Sequence, residues 1–256
     1  MNYFFGIKSK LFDTKLTIPK FQNKKKIKNQ TFLYQALIKE NEWKIEKISV
    51  YTEDENFFFL DQKILDNNKI LFIKDENKLG QFNKIDFSEL KNFNNYTDTS
   101  PSYRSNIKIT NKLGGFSSYQ SDYPFNMISK KGSILSSLSL LTNKLADKNI
   151  LLLKNIYKKP FHESFYAYFI NHKIKKIIHK EKIYTNQTNF IDLPEEFLDN
   201  ETYLFTNEYL CVPLYISIKN NQISFEHTHP PHEYILSDDK YIKITDLKKK
   251  FNEIIN

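Results

Sequence analysis

The sequence predicts a mainly β protein, an antiparallel β-sandwich or partial barrel with a C-terminal α-helix. Three observations lead there. After residue 148, short runs rich in Ile, Tyr, Phe and Leu recur at close spacing, separated by Asn, Asp, Pro or Lys turns. Two of those runs are joined by Asn220-Asn221, and asparagine tolerates the positive φ of a tight hairpin turn. Near the end of the chain, Leu247, Phe251, Ile254 and Ile255 fall on one face of a 3.6-residue period.

Taken in order, the first strand-like runs are residues 31–38, 43–51 and 69–73. Trp43, Ile45 and Ile48 break strict alternation, so the second run is either bulged or not a strand. Residues 92–105 hold turn formers without periodicity and read as a loop or a boundary. They separate a smaller β-rich N-terminal portion, 1–95, from an antiparallel β domain with its helix, 104–256, unless the two form one continuous domain. Residues 114–124, Gly-Gly-Phe-Ser-Ser-Tyr-Gln-Ser-Asp-Tyr-Pro, read as a polar, aromatic loop. The later strands are 149–157, 164–170, 173–184, 188–193, 202–205, 209–219 and 222–229. Thr245 is the expected N-cap of the closing helix.

A two-residue turn at Asn220-Asn221 sets a register. Lys219 faces Gln222, Ile218 faces Ile223, Ile216 faces Phe225, Leu214 faces His227 and Val212 faces His229. Side chains alternate along a strand, so Val212, Leu214, Ile216, Ile218, Ile223 and Phe225 share an apolar face that His227 and His229 continue. Tyr215, Ser217, Ser224, Glu226 and Thr228 take the other face.

The chain has 256 residues, of which 40% are hydrophobic, enough to bury a core without disulfides. Its one cysteine, Cys211, sits in an apolar strand pattern and reads as a small core residue in a reducing compartment. The N-terminus lacks the pattern of a signal peptide, and no apolar run reaches the ~18 residues of a membrane span. A soluble, cytoplasmic protein is expected. Net charge is +8, from 38 basic and 30 acidic residues. That balance admits nucleic acid or another anionic surface as a partner. The wealth of Lys, Asn, Ile, Phe and Tyr also suits an AT-rich genome. Tyr166, Tyr168 and Phe169, with Lys173, Lys175 and Lys176, come nearest to a stacking surface between basic residues.

The best chemical lead is three histidines within six residues, His227, His229 and His232. Imidazole is a common metal ligand and changes charge near neutral pH. Two histidines at i and i+2 on a strand project the same way and can meet one divalent transition metal. A third ligand would come from His232, Glu233 or His162. Alternatively, His227 or His229 serves as a general base, or all three cap strand ends. The His227-X-His229 pair followed by Glu233 resembles the first metal motif of the cupins over residues 227–233. The flanking glycines of that family are replaced by Asn221 and Lys240, and no histidine follows His232, so the chain is not placed among them.

Arg104 is the one arginine of the chain, and a planar guanidinium suits a carboxylate or phosphate. Gly114 and Gly115 allow close backbone approach, and Tyr119 and Gln120 bring polar aromatic and amide groups. Arg104, Gly114, Gly115, Tyr119 and Gln120 are the expected ligand contacts. The leading expectation is a β protein that binds or acts on a polar small molecule, such as a sugar, at the histidine corner. The alternative is a non-catalytic protein-interaction module with structural histidines. Binding of nucleic acid or an anionic surface is the weaker alternative.

Overall fold

The computed structural model describes residues 3–22, 25–26, 31–75, 105–120, 122–123, 131–139, 141–198, 201–227 and 238–256. The architecture is mainly antiparallel β with one C-terminal helix. Its four larger sheets are arranged as a propeller-like ring of four blades rather than a plain sandwich or barrel.

The first half of the chain supplies β1 (Tyr3–Phe5), β2 (Phe12–Pro19), β3 (Phe21–Gln22), β4 (Lys25–Lys26), β5 (Thr31–Lys39), β6 (Glu42–Lys47), β7 (Thr52–Glu53), β8 (Phe57–Asp61), β9 (Ile70–Asp75), β10 (Asn106–Asn111), β11 (Phe116–Gln120) and β12 (Asp122–Tyr123). Apart from the small β3–β4 pair, they build sheet I in the order β12-β1-β9-β5-β6 and sheet II in the order β11-β10-β2-β8-β7. The second half supplies β13 (Ile134–Ser137), β14 (Lys148–Lys154), β15 (Ser164–Asn171), β16 (Lys176–Tyr184), β17 (Thr188–Leu193), β18 (Thr202–Thr206), β19 (Val212–Lys219) and β20 (Gln222–His227). These form sheet III, β13-β18-β15-β16, and sheet IV, β17-β14-β19-β20. Each blade thus draws on strands scattered along its half of the chain, in keeping with a sequence that shows no fixed-period repeat.

Residues 106–123 pair with the N-terminal strands. β10 lies against β2 and β12 against β1. Residues 116–120, expected within a loop, form β11, because hydrogen bonding to β10 satisfies their backbone. The alternation of β2 is regular, with Phe12, Thr14, Leu16 and Ile18 inward and Asp13 and Lys15 outward. The second run is a strand over Glu42–Lys47, and neither alternative for it holds: β6 pairs with β5 in continuous register from Lys47 to Glu42, without a bulge. The register shift falls instead between Phe169 and Ile170, opposite Ile178.

Sheet IV belongs to two cores. Ile150, Leu152, Leu214, Ile216 and Phe225 face the core of sheets I and II. Leu151, Leu153, Ile191 and Tyr215 face the core shared with sheet III, against Phe165, Phe169 and Leu204. The face of β19 expected to be polar is therefore buried as well: the Tyr215 hydroxyl donates to Ser136 Oγ at 2.7 Å and Ser217 Oγ donates to Asn149 Oδ1 at 2.6 Å. The far face of sheet III carries Tyr168, Ile170 and Phe205 under helix α1 (Asp238–Ile255), whose Phe251 is fully buried. Thr245 lies inside this helix rather than at its N-cap.

The halves are joined by specific polar contacts. The Asn67 carbonyl accepts from Thr188 N at 2.8 Å and from Lys154 Nζ at 3.3 Å, while its side chain bonds Lys8 N and Lys8 O. Trp43 Nε1 donates to the Lys158 carbonyl at 3.1 Å.

Candidate functional site

Two regions gather the residues that carry chemistry. The first is the corner between β11 and β20. The hairpin register expected for β19 and β20 is observed from Lys219↔Gln222 to Leu214↔His227. Asn220 carries the positive φ of the turn, at 51°. Sheet II docks on this hairpin: Gly115 N donates to the Asn221 carbonyl at 2.8 Å, and Asn111 Nδ2 donates to the Asn220 carbonyl at 2.9 Å. A Cβ on Gly115 would stand 2.6 Å from Asn221 O, so glycine is required there for contact rather than for dihedral freedom. Gly115→Ala is expected to part the two hairpins and cost about 1–3 kcal/mol by overpacking. Thermal unfolding checks this, with Leu113→Ala, at an exposed side chain, within about 0.5 kcal/mol of wild type.

Gly114 and Gly115 therefore sit at the turn end of β20, whereas His227 lies at its other end, about 17 Å away at ~3.4 Å per residue. Tyr119 does reach the histidine, with ring centroids 4.4 Å apart, and also meets Phe225 edge-on at 5.6 Å. Gln120 follows on β11, opposite Asn106. Arg104, His229, His232 and Glu233 lie outside the described residues. Among the described residues, no group of three or more His, Cys, Asp or Glu is placed to hold a metal ion. His162, a candidate third ligand, has its Nδ1 3.2 Å from the Thr185 carbonyl. Cys211 is fully buried, and burial pushes its thiol well above the usual range, which fits packing rather than nucleophilic use.

The second region is the hairpin of β15 and β16. β16 is a nine-residue strand at the edge of sheet III, and most of its side chains are exposed. Between His172 and Tyr184 stand five lysines (173, 175, 176, 180 and 182) and a single glutamate, Glu181. That glutamate is paired with His179 at 3.1 Å. Ile174 is 56% exposed, and Ile177 and Ile178 are each 37% exposed. Cross-strand pairing puts Tyr166 beside Lys182 and Tyr168 beside Lys180 on the outer face, with Phe169 turned to the opposite, core face. Lys180 Nζ lies over the Tyr166 ring at 3.7 Å. Beyond the helix, Lys180, Lys182 and Tyr184 remain exposed on that outer face. The expected combination of Tyr166, Tyr168 and Phe169 is thus divided between two faces, and its lysines are joined by Lys180 and Lys182, which strand alternation alone would have placed there.

The sequence reading also missed an asparagine network at the base of this hairpin. Asn186, 1% exposed with φ 61°, accepts from Tyr157 N at 2.7 Å and donates to the carbonyls of Lys159 (2.9 Å) and Phe161 (3.0 Å). Asn155 Oδ1 accepts from Asn186 N at 3.1 Å, and its amide donates to the Leu210 carbonyl at 2.6 Å. Nearby, the Tyr209 hydroxyl donates to Glu163 Oε2; burial, then that carboxylate, raises its pKa.

No protein-family model, curated protein or solved structure matches this chain. No helix among the described residues is long and apolar enough to cross a membrane.

Proposed function

We propose that the chain is a binding module that recognises an anionic macromolecular partner through the β16 edge of sheet III and the part of its outer face beyond the helix. The observation that carries this reading is the β15–β16 hairpin, where five lysines face solvent around exposed isoleucines and the one glutamate is already paired. Like charges gathered on one exposed strand raise the local concentration of an acidic partner and speed its association. Sheets III and IV, which share one core and alternate along the chain, read as one unit, with the other face of sheet IV packed on sheets I and II. Sheets I and II read as another, and the division falls between residues 123 and 131. A lone buried cysteine suits the reducing cytoplasm.

The test is binding to poly-L-glutamate at low salt. Lys180→Glu with Lys182→Glu is expected to lose at least about tenfold in affinity, roughly 1.4 kcal/mol. Lys15→Glu with Lys112→Glu, at exposed sites elsewhere, stays within about twofold, under ~0.5 kcal/mol. Equal binding by the first pair and the wild type would remove the reading.

A second reading keeps the β11–β20 corner as a site for a polar small molecule or a divalent metal. The contact of Tyr119 with His227, rings tilted by 56° with centroids 4.4 Å apart, favours it. There His227 and His229 would act as base or metal ligands with His232, and Arg104 would clamp an anionic group.

A further inference from the structure

The edge of sheet III offers more than charge. β16 is hydrogen-bonded to β15 on one side and ends its sheet on the other, and it is the longest edge strand among the described residues. A strand in that position presents its outward backbone N–H and C=O groups to whatever approaches, except here at Tyr184, whose N–H donates to Asn189 Oδ1 at 2.9 Å and whose carbonyl accepts from Asn189 Nδ2 at 3.0 Å. Proteins usually blunt such edges with lysines or a bulge, and β16 has both: Lys176, Lys180 and Lys182, and the register shift opposite Ile178. These devices repel a second copy of the same basic strand. They do not repel an acidic one.

Resting on the surface reading above, we infer that the partner is an acidic, extended polypeptide segment that adds to β16 as a fifth strand of sheet III. The side-chain pattern of β16 sets what that segment must carry. On the outer face, Lys180 and Lys182 would stand beside the incoming strand, so its residues on that face are glutamates or aspartates. At the other end, Ile177 and the bulged Ile178, with Ile174 of the adjoining turn, call for apolar residues. Backbone pairing supplies affinity, and the alternate side chains supply specificity.

A single-stranded nucleic acid meets the same lysines but fits the rest less well. Bases need free aromatic faces for stacking. Here Lys180 lies over Tyr166 at 3.7 Å, and Tyr168 is 9% exposed. Exposed isoleucines at the turn end of the strand have no role against phosphate and sugar.

The experiment is fluorescence anisotropy at low salt with four labelled probes. They are a nine-residue peptide alternating glutamate with valine, which matches the length of β16, the same peptide N-methylated throughout its backbone, its lysine-for-glutamate counterpart, and oligo-thymidylate. The acidic peptide is expected to bind at least about tenfold tighter than each of the other three, and to lose about tenfold on Lys180→Glu with Lys182→Glu. Circular dichroism confirms that the variant is folded. If the N-methylated peptide binds as well as its parent, strand addition is overturned while the basic surface stands. If oligo-thymidylate binds tighter than the peptide, the polypeptide partner is overturned. If no acidic probe binds at low salt, this inference and the surface reading fall together.

Discussion

Lys154→Met is expected to make the protein more stable at neutral pH and to remove a rise of stability with pH. The reason is the position of the lysine. β14 alternates Ile150, Leu152 and Lys154 toward the core of sheets I and II, so the ammonium follows two aliphatic side chains into the join between the halves. Lys154 is fully buried, with Nζ 3.3 Å from the Asn67 carbonyl and 5.8 Å from the centre of the Phe5 ring. Among the described residues no carboxylate lies within ion-pair distance of it. Burial lowers its pKa to about 7, outweighing the opposing charge of Asp66. The unfolded chain holds that proton up to about pH 10.4, whereas the folded chain releases it above about 7. Between those values the unfolded state binds more protons, so stability rises with pH, by at most about 1.4 kcal/mol per unit. Above about pH 8.5 the rise levels off, because Cys211, raised by burial in the fold, ionises more readily when unfolded, and above about pH 10 Tyr3, Tyr209 and Tyr215, raised in the same way, reverse it. Urea unfolding at pH 7 and pH 8.5 is therefore the clean comparison. Wild type should gain about 1.5–2 kcal/mol across that step and Lys154→Met close to nothing. The Asn67 carbonyl keeps Thr188 N as a donor, so the substitution orphans no acceptor. An equal slope in both proteins would show that the amine is not desolvated in the fold.

Asn186→Ala carries the largest expected loss. The substitution removes the acceptor for Tyr157 N and the donor to two carbonyls at a site 1% exposed, and an orphaned buried group costs about 1–3 kcal/mol. It also leaves alanine at φ 61°, a left-handed conformation that costs a further 1–2 kcal/mol or so. Phe161 O keeps a bond from Thr185 Oγ1 at 2.7 Å, which limits the damage. Chemical denaturation should register a loss of about 3–5 kcal/mol, a large part of the ~5–15 kcal/mol that holds a typical domain together. Asn186→Gly should recover about 1 kcal/mol of it, the backbone share, and no more. Equal losses for the two substitutions would mean that the dihedral adds nothing, and a loss under about 1 kcal/mol would contradict the network.

The second half of the chain was legible because its strands are continuous Ile, Leu, Tyr and Phe runs cut by clear turns. The Asn220-Asn221 hairpin could be registered pair by pair from the turn alone. In the first half, β2, β8 and β10 went unread although their alternation is there, in Phe12, Leu16 and Ile18, in Phe58 and Leu60, and in Ile107 and Ile109. Polar residues on the intervening positions diluted the signal in β2 and β10, and in β8 the intervening Phe57 and Phe59 hid the alternation. Sheet IV was read as one-sided because Tyr215, Ser217 and Asn149 look polar in sequence, and only the packing of sheet III over them makes that face a core. Lys154 was hidden for a related reason: a lysine that ends an apolar run reads as the point where a strand leaves the core. The asparagine network was masked by composition, since Asn is everywhere in this chain and only tertiary contacts single out Asn67, Asn155 and Asn186. At the histidine corner, strand alternation correctly put His227 on the apolar face, and Tyr119 beside it is a tertiary neighbour that no local pattern announces.

Backbone hydrogen exchange with and without saturating poly-L-glutamate tests the central claim most directly, because it locates the partner without presuming its sequence. Recognition at sheet III predicts slowed exchange across Lys176–Tyr184, with Phe116–Gln120 and Gln222–His227 unchanged. Slowing confined to those last two strands, with β16 unaffected, would contradict it and move the site to the histidine corner.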